Sequence, residues 1–163
     1  MSDVRGQVKE KIVPGGIQGK FDFLEHTSDV YVVAYGRDPL ELFSNAGLAL
    51  FEAMVNTNKV ERRERLEVFA DGFDLENLLY KWIESLLTIY YVNNFMCGDV
   101  QASELHIARL GDETQLRVRG VCAGERLDPA RHEPKVEVKA MTYSLMRILK
   151  DEGGWRAYFV LDI

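Results

Sequence analysis

The sequence predicts an α+β domain in which two main helices pack on a largely antiparallel β-sheet. Three observations predict it. Apolar residues recur at three- and four-residue steps along Leu42–Met54 and again along Leu75–Tyr90. Strand-like runs flank those stretches, at Asp29–Tyr35 and from Glu104 to the end of the chain. The order strands, helices, strands favours segregated layers of secondary structure around one core.

A chain of 163 residues that is 47% hydrophobic can fill one core, and it reads as a single domain over 20–163. A mobile N-terminal arm is expected over 1–19, where charges mix with Pro14-Gly15-Gly16 and Gly19, leading to an edge strand around Phe21-Asp22-Phe23. After the Asp29–Tyr35 strand, Asp38 is placed to cap a helix and Pro39 suits its first turn. Glu41 stands where a capping-box carboxylate reaches back. Leu42, Phe43, Ala46, Ala49, Leu50, Ala53 and Met54 make its buried stripe. The run from Lys59 to Glu67 carries both signs of charge and reads as a solvated connection into a strand at Leu66–Ala70.

Asp74 is the expected cap of the second helix. Leu75, Leu78, Leu79, Trp82, Ile83, Leu86, Leu87 and Tyr90 share one face of it. Burying each large side chain is worth roughly 1.5–3 kcal/mol, so this helix is expected to be the main support of the sheet. Beyond Glu104 the period changes to two, with Leu105, Ile107, Leu116, Val118 and Val121 alternating around a Gly111-Asp112 turn. Gly124–Pro134 reads as a loop carrying His132. Val136 to about Leu149 reads as a strand, Gly153-Gly154 as a turn and Trp155–Ile163 as the last strand. No internal repeat stands out.

Composition narrows the function classes. No apolar run is long enough to cross a bilayer, and the N-terminus lacks the apolar core of a secretory signal, so a cytoplasmic protein is expected. Cys97 and Cys122 belong to no Cys-x-x-Cys pair and are expected as packed free thiols. A net charge of −6 disfavours nucleic acid as the main partner and suits a basic protein or a cation. The chain has no phosphate loop with its lysine, no dinucleotide fingerprint and no His-Glu-x-x-His zinc helix. Nothing marks a strained nucleophile turn either.

Two segments gather candidate ligands. Glu25-His26-Thr27-Ser28-Asp29-Val30 sets an imidazole, two hydroxyls and a carboxylate at the mouth of a strand, although the same residues also serve ordinary turns. At the other end, Asp162 and the α-carboxylate of Ile163 supply hard oxygen donors suited to calcium or magnesium. A solvent-facing Asp162 with no such role is the simpler alternative.

The sequence resembles the archease family, whose members activate the tRNA-splicing RNA ligase of archaea and animals. The likeness covers roughly residues 20–163. It rests on His26-Thr27-Ser28-Asp29-Val30, on Asp38-Pro39-Leu40-Glu41-Leu42-Phe43 through Ala49-Leu50-Phe51, and on Asp74-Leu75-Glu76-Asn77-Leu78-Leu79-Tyr80-Lys81-Trp82. Glu137-Val138-Lys139-Ala140-Met141-Thr142-Tyr143 and the closing Leu161-Asp162-Ile163 complete it. Ser28 stands where alanine is usual, and Ser144 where many members have histidine.

The resemblance implies an archease-like fold and an accessory activator in place of an enzyme. It implies a role in promoting guanylylation of the RNA ligase, its multiple turnover and its choice of nucleotide. It also implies a divalent cation, calcium in the first place with magnesium or manganese as alternatives, held by Asp29, Asp162 and Ile163. His26 and Lys139 match family blocks as partner-contacting or site-supporting residues. The expected partner is the ligase itself, with no direct nucleic-acid binding as the main activity and no membrane. The alternative expectations are a chaperone-like or specificity-modifying binding module, and a metal-dependent phosphoesterase, for which the histidines and acids are too few.

Overall fold

The computed structural model describes residues 7–163. Its strands are β1 (Ile12–Ile17), β2 (Phe21–Leu24), β3 (Val30–Gly36), β4 (Glu64–Gly72), β5 (Phe95–Leu110), β6 (Glu113–Arg126), β7 (Ala140–Met141), β8 (Arg147–Asp151) and β9 (Gly154–Asp162). The helices are α1 (Pro39–Met54), α2 (Leu75–Asn93) and the single turn α3 (Pro129–His132). The strands form two antiparallel sheets. One runs β1-β2-β3-β9-β7 with β8 also on β9, and the other runs β4-β6-β5.

Both main helices start the same way. A strand ends in glycine, one residue intervenes, and an aspartate caps the helix. Asp38 accepts the Glu41 N–H at 2.8 Å and Asp74 accepts the Asn77 N–H at 2.7 Å. The residue at the third helical position reaches back in each case, Glu41 to the Arg37 N–H at 3.1 Å and Asn77 to the Phe73 N–H at 3.2 Å. Only glycine fits before either cap. A Cβ on Gly36 would lie 2.4 Å from the Leu42 nitrogen, and one on Gly72 would lie 2.6 Å from the Leu78 nitrogen. This Gly-x-Asp junction therefore occurs twice, a local repeat that the sequence reading did not pick out.

One core draws on both helices and both sheets, with Leu42, Phe51, Leu78, Trp82, Ile83, Leu86, Val32, Phe159 and Val118 all buried in it. The Trp82 indole N–H donates to the Phe43 carbonyl at 3.0 Å and ties α2 to α1. Strand β3 is buried on both faces. Val32 and Ala34 join the main core, while Tyr31, Val33 and Tyr35 pack with Tyr158 and Val160 in a second cluster.

That second cluster explains a correction. Residues from Gln7 through β1, expected to belong to a mobile arm, are pinned over it. Val8 and Ile12 pack on the cluster, the Arg156 guanidinium donates to Gln7 at 2.7 Å, and Arg147 pairs with Glu10 at 3.6 Å. The rest of that arm, residues 1–6, lies outside the described residues.

Four further expectations change. Cys97 and Cys122 are joined by a disulfide between β5 and β6, Cα atoms 5.3 Å apart, because strand pairing brings two buried residues together that no sequence motif links. Strand β5 begins at Phe95, directly after the left-handed Asn94 that ends α2, and its first four residues, Phe95–Gly98, are buried without alternation. Val121 lies one residue out of phase with Leu116 and Val118 and is only half-buried. The strand expected from Val136 to about Leu149 is broken. Residues 134–139 belong to no strand and cross the end of α1, where the Lys135 and Val136 N–H groups donate to the Met54 and Ala53 carbonyls. Lys135 and Val136 thus satisfy helix-terminal acceptors in place of a sheet ladder.

Candidate functional site

The candidate site lies where β3 begins and β9 ends. The β3–β9 ladder ends at the Val30–Leu161 pair, and Asp29 and Asp162 are the next residues beyond it, Asp29 in the bend that precedes β3. On the other side of β9, Ala140 pairs with Asp162, and the Lys139 N–H donates to the Asp162 carbonyl at 2.7 Å. Asp29, Asp162, Ile163 and Lys139 thus share one end of the sheet although they come from three separate stretches. Asp29 and Asp162 are half-buried, and neither carboxylate has a cationic partner among the described residues. The Lys139 side chain is exposed and pairs with neither of them.

Asp29 also lines a cleft of about 510 Å³ between β1–β3 and the last turn of α1. His26 is on its rim, edge-on to the Tyr31 ring with centroids 5.7 Å apart. Burial pushes the Tyr31 phenol above its ordinary pKa, more than the hydrogen bond to Arg147 lowers it, so it faces the cleft as a neutral group.

Glu52 and Lys135 complete the wall, and sequence reasoning missed both. Glu52 is buried, and its carboxylate accepts from Lys135 Nζ at 2.7 Å, Thr57 Oγ1 at 2.6 Å and the Thr57 N–H at 3.3 Å. Lys135 Nζ also donates to the Glu52 carbonyl at 3.0 Å, so this ammonium neutralises a buried acid and caps the C-terminal turn of α1. The available signal was a carboxylate inside the apolar stripe of the first helix.

Among the described residues no cluster of three or more His, Cys, Asp or Glu side chains gathers as a metal site. A cation at Asp29 and Asp162 would therefore need main-chain or chain-terminal oxygens. The donor chemistry fits a hard divalent ion, since calcium takes six to eight oxygens and accepts carboxylate, carbonyl and water together. His132 is fully buried, its Nδ1 accepting the Asp128 N–H at 3.0 Å and its Nε2 at 2.9 Å from Glu125.

Glu125 lies at the centre of a separate charged network. Arg131 grips it with two hydrogen bonds of 2.9 Å, and the Glu61 N–H donates to it at 2.7 Å. Arg131, with the Glu61 amide and His132 adding to it, lowers the Glu125 carboxyl from 4.5 to about 2 against the opposing effect of burial. This network ties β6 to α3 and to the short turn Thr57–Lys59, and it stands apart from Asp29 and Asp162.

No helix among the described residues is long and apolar enough to cross a membrane. The chain matches the model of the Archease protein family (MTH1598/TM1083) over residues 21–163. It is 46% identical over 144 residues to a protein archease of Sulfurisphaera tokodaii, covering 88% of this chain and 99% of the relative. A protein archease of Pyrococcus abyssi is 41% identical over 145 residues, with the same shares covered. Among solved structures, the solution structure of Methanobacterium thermoautotrophicum protein 1598 aligns with a TM-score of 0.71 at 34% identity. The alignment covers 88% of this chain and 98% of that one. Sequence over most of its length and fold therefore agree: the chain belongs to the archease family.

Proposed function

We propose that this protein is an accessory activator of the tRNA-splicing RNA ligase, promoting its guanylylation and repeated turnover and adjusting its choice of nucleotide. It acts through a divalent cation, calcium or a substitute for it, held by Asp29, Asp162 and the α-carboxylate of Ile163. The observation behind this reading is the β3–β9 ladder, which ends at Val30–Leu161 beside the family's His-Thr-x-Asp aspartate and the penultimate aspartate, inside a family match spanning residues 21–163. Two carboxylates without cationic partners at a sheet end favour a bound cation over solvent.

The cation would supply positive charge where the activator meets the ligase. The chain's own residues divide the remaining work. Asp29 and Asp162 hold the ion from neighbouring strands, the Lys139 main chain fixes the Asp162 backbone, and the exposed Lys139 ammonium and His26 imidazole are free to meet the partner. A protein-borne set of three donors leaves further positions of a calcium shell to water or to the partner's oxygens.

The test is a reconstituted ligation with the cognate ligase, GTP and manganese, counting ligated products per ligase molecule. The wild-type chain should raise the count well above one, and folded Asp29→Ala and Asp162→Ala variants should return it to the ligase-alone level. Unchanged turnover with both variants would rule out the cation site as the working part. No effect of the wild-type chain would rule out activation itself.

A further inference from the structure

A second concave surface lies on the far side of Gly15 from the acidic cleft. It has a volume of about 430 Å³ and runs between the β1–β2 turn and the 56–62 loop. Its character is opposite to that of its neighbour. Lys20 and Arg62 both line it, and neither has a carboxylate partner among the described residues. Many other cations of this acidic chain are paired, among them Arg37 with Glu41, Arg117 with Asp71, Arg131 with Glu125 and Lys135 with Glu52. The only acid on the lining is Glu52, and its charge is already met by Lys135 and Thr57.

The walls are built as well as charged. Strand β1 bulges here. Val13 pairs with Phe23 and Ile17 with Phe21, so Pro14, Gly15 and Gly16 together oppose Asp22 alone. Gly16 admits no side chain, because a Cβ there would lie 2.5 Å from the Phe21 carbonyl oxygen. On the facing wall, Arg62 is anchored by one hydrogen bond from Nη2 to the Gly98 carbonyl at 3.1 Å. Its remaining four N–H groups have no protein acceptor among the described residues. The side chain of Asn56 is committed, accepting the Asn58 N–H and donating to Glu133, whereas the Asn58 amide is uncommitted. An ammonium, a guanidinium fork and a carboxamide facing one groove make a donor set for a tetrahedral oxyanion.

We infer that this groove binds the phosphate groups of a small phosphorylated ligand, with Lys20 and Arg62 as the charged contacts and Asn58 as the neutral donor. A size near 430 Å³ lies in the range of small-ligand sites. The inference is independent of the activator reading, since none of its three donors belongs to the acidic end of the sheet.

Isothermal titration of the isolated full chain with sodium tripolyphosphate, at low ionic strength and without divalent cations, tests it. Saturable binding is expected that weakens as salt is raised. Lys20→Met or Arg62→Met should each weaken it by about tenfold, and the double variant by about a hundredfold. Lys150→Met, a change at an exposed lysine elsewhere, should leave it unchanged. GTP and ATP titrated in parallel separate the sources of the phosphate. Affinity equal to that of tripolyphosphate assigns the site to the phosphates, and tighter binding of one nucleotide adds its base, both in support. Absence of tripolyphosphate binding would overturn the inference. So would equal loss in Lys150→Met, or binding of a single-stranded RNA oligonucleotide alone. Lys20 is exposed and its side chain makes no hydrogen bond or ion pair among the described residues, so Lys20→Met keeps the test decisive even where Arg62→Met disturbs the fold.

Discussion

Replacing Asp162 by asparagine should stabilise the protein without divalent cations and destabilise it with them. One further step of the β3–β9 ladder past Val30–Leu161 would oppose Asp29 to Asp162 with Cα atoms about 5 Å apart, and like charges directly opposite repel. Two carboxylates roughly 5–6 Å apart interact with about 0.7 kcal/mol in water and about 3 kcal/mol at an effective dielectric near 20. Both aspartates are half-buried and therefore partly screened, which brings the repulsion to about 0.5–1.5 kcal/mol at physiological salt. For a domain of this size that is a rise in Tm of about 1–5 °C for Asp162→Asn in a chelator. Saturating calcium reverses the order. A ligand at a hundred times its Kd adds about 2.7 kcal/mol to the form that binds it, and the variant forgoes most of that. Thermal melts of both proteins, in chelator and in excess calcium, read the crossing directly. A variant less stable than wild type in chelator would show that the Asp162 carboxylate has a stabilising partner, and would refute the reasoning.

Three other predictions follow from the rest of the structure. Glu125 has its folded pKa lowered from 4.5 to about 2, so the stability it contributes is present above pH 4.5 and is lost as pH falls toward 2. At 1.36 kcal/mol per pKa unit the ceiling is about 3 kcal/mol, and the solvent-facing Arg131 screens part of it, leaving about 1–2 kcal/mol. Denaturant titrations of wild type and Glu125→Gln between pH 6 and pH 2.5 should converge by that amount, and parallel curves would contradict it. Reducing the Cys97–Cys122 disulfide, or replacing both residues by serine, frees a link across 25 residues and should cost about 2–4 kcal/mol in urea unfolding; an unchanged midpoint would count against it. Lys135→Met strips the buried Glu52 carboxylate of its ammonium and, with Lys135 itself partly solvent-exposed, should cost about 1–3 kcal/mol. Adding Glu52→Gln should recover part of that loss, and failure to recover would mean that Lys135 acts mainly on the α1 carbonyls.

Local chemistry made the helices readable. The stripe from Leu75 to Tyr90 and the caps Asp38 and Asp74 depend on residues within one or two turns of each other, and all appear where their spacing puts them. Sheet partners are different, because pairing is set by the whole fold. Nothing near Cys97 says that Cys122 lies beside it, and nothing near Glu52 says that Lys135 will cap and neutralise that turn. Val136–Lys139 has strand-like composition, yet the Lys135 and Val136 N–H groups serve open carbonyls of α1. At the candidate site the residue types were visible early, as Asp29 and Asp162. That the strands beside them lie next to each other depends on the seven-residue ladder from Val30–Leu161 to Gly36–Trp155, which no local pattern encodes.

The chain terminus gives the most direct test of whether Asp29, Asp162 and Ile163 act as one cation pocket. Calcium titrations of three proteins should be compared: wild type, a form with three glycines added after Ile163, and a form with three glycines added before Met1. We predict that the C-terminal addition weakens calcium binding by about tenfold or more, the loss of one charged ligand, while the N-terminal addition leaves it unchanged. Equal affinity in all three would contradict the proposal that the final carboxylate is a ligand.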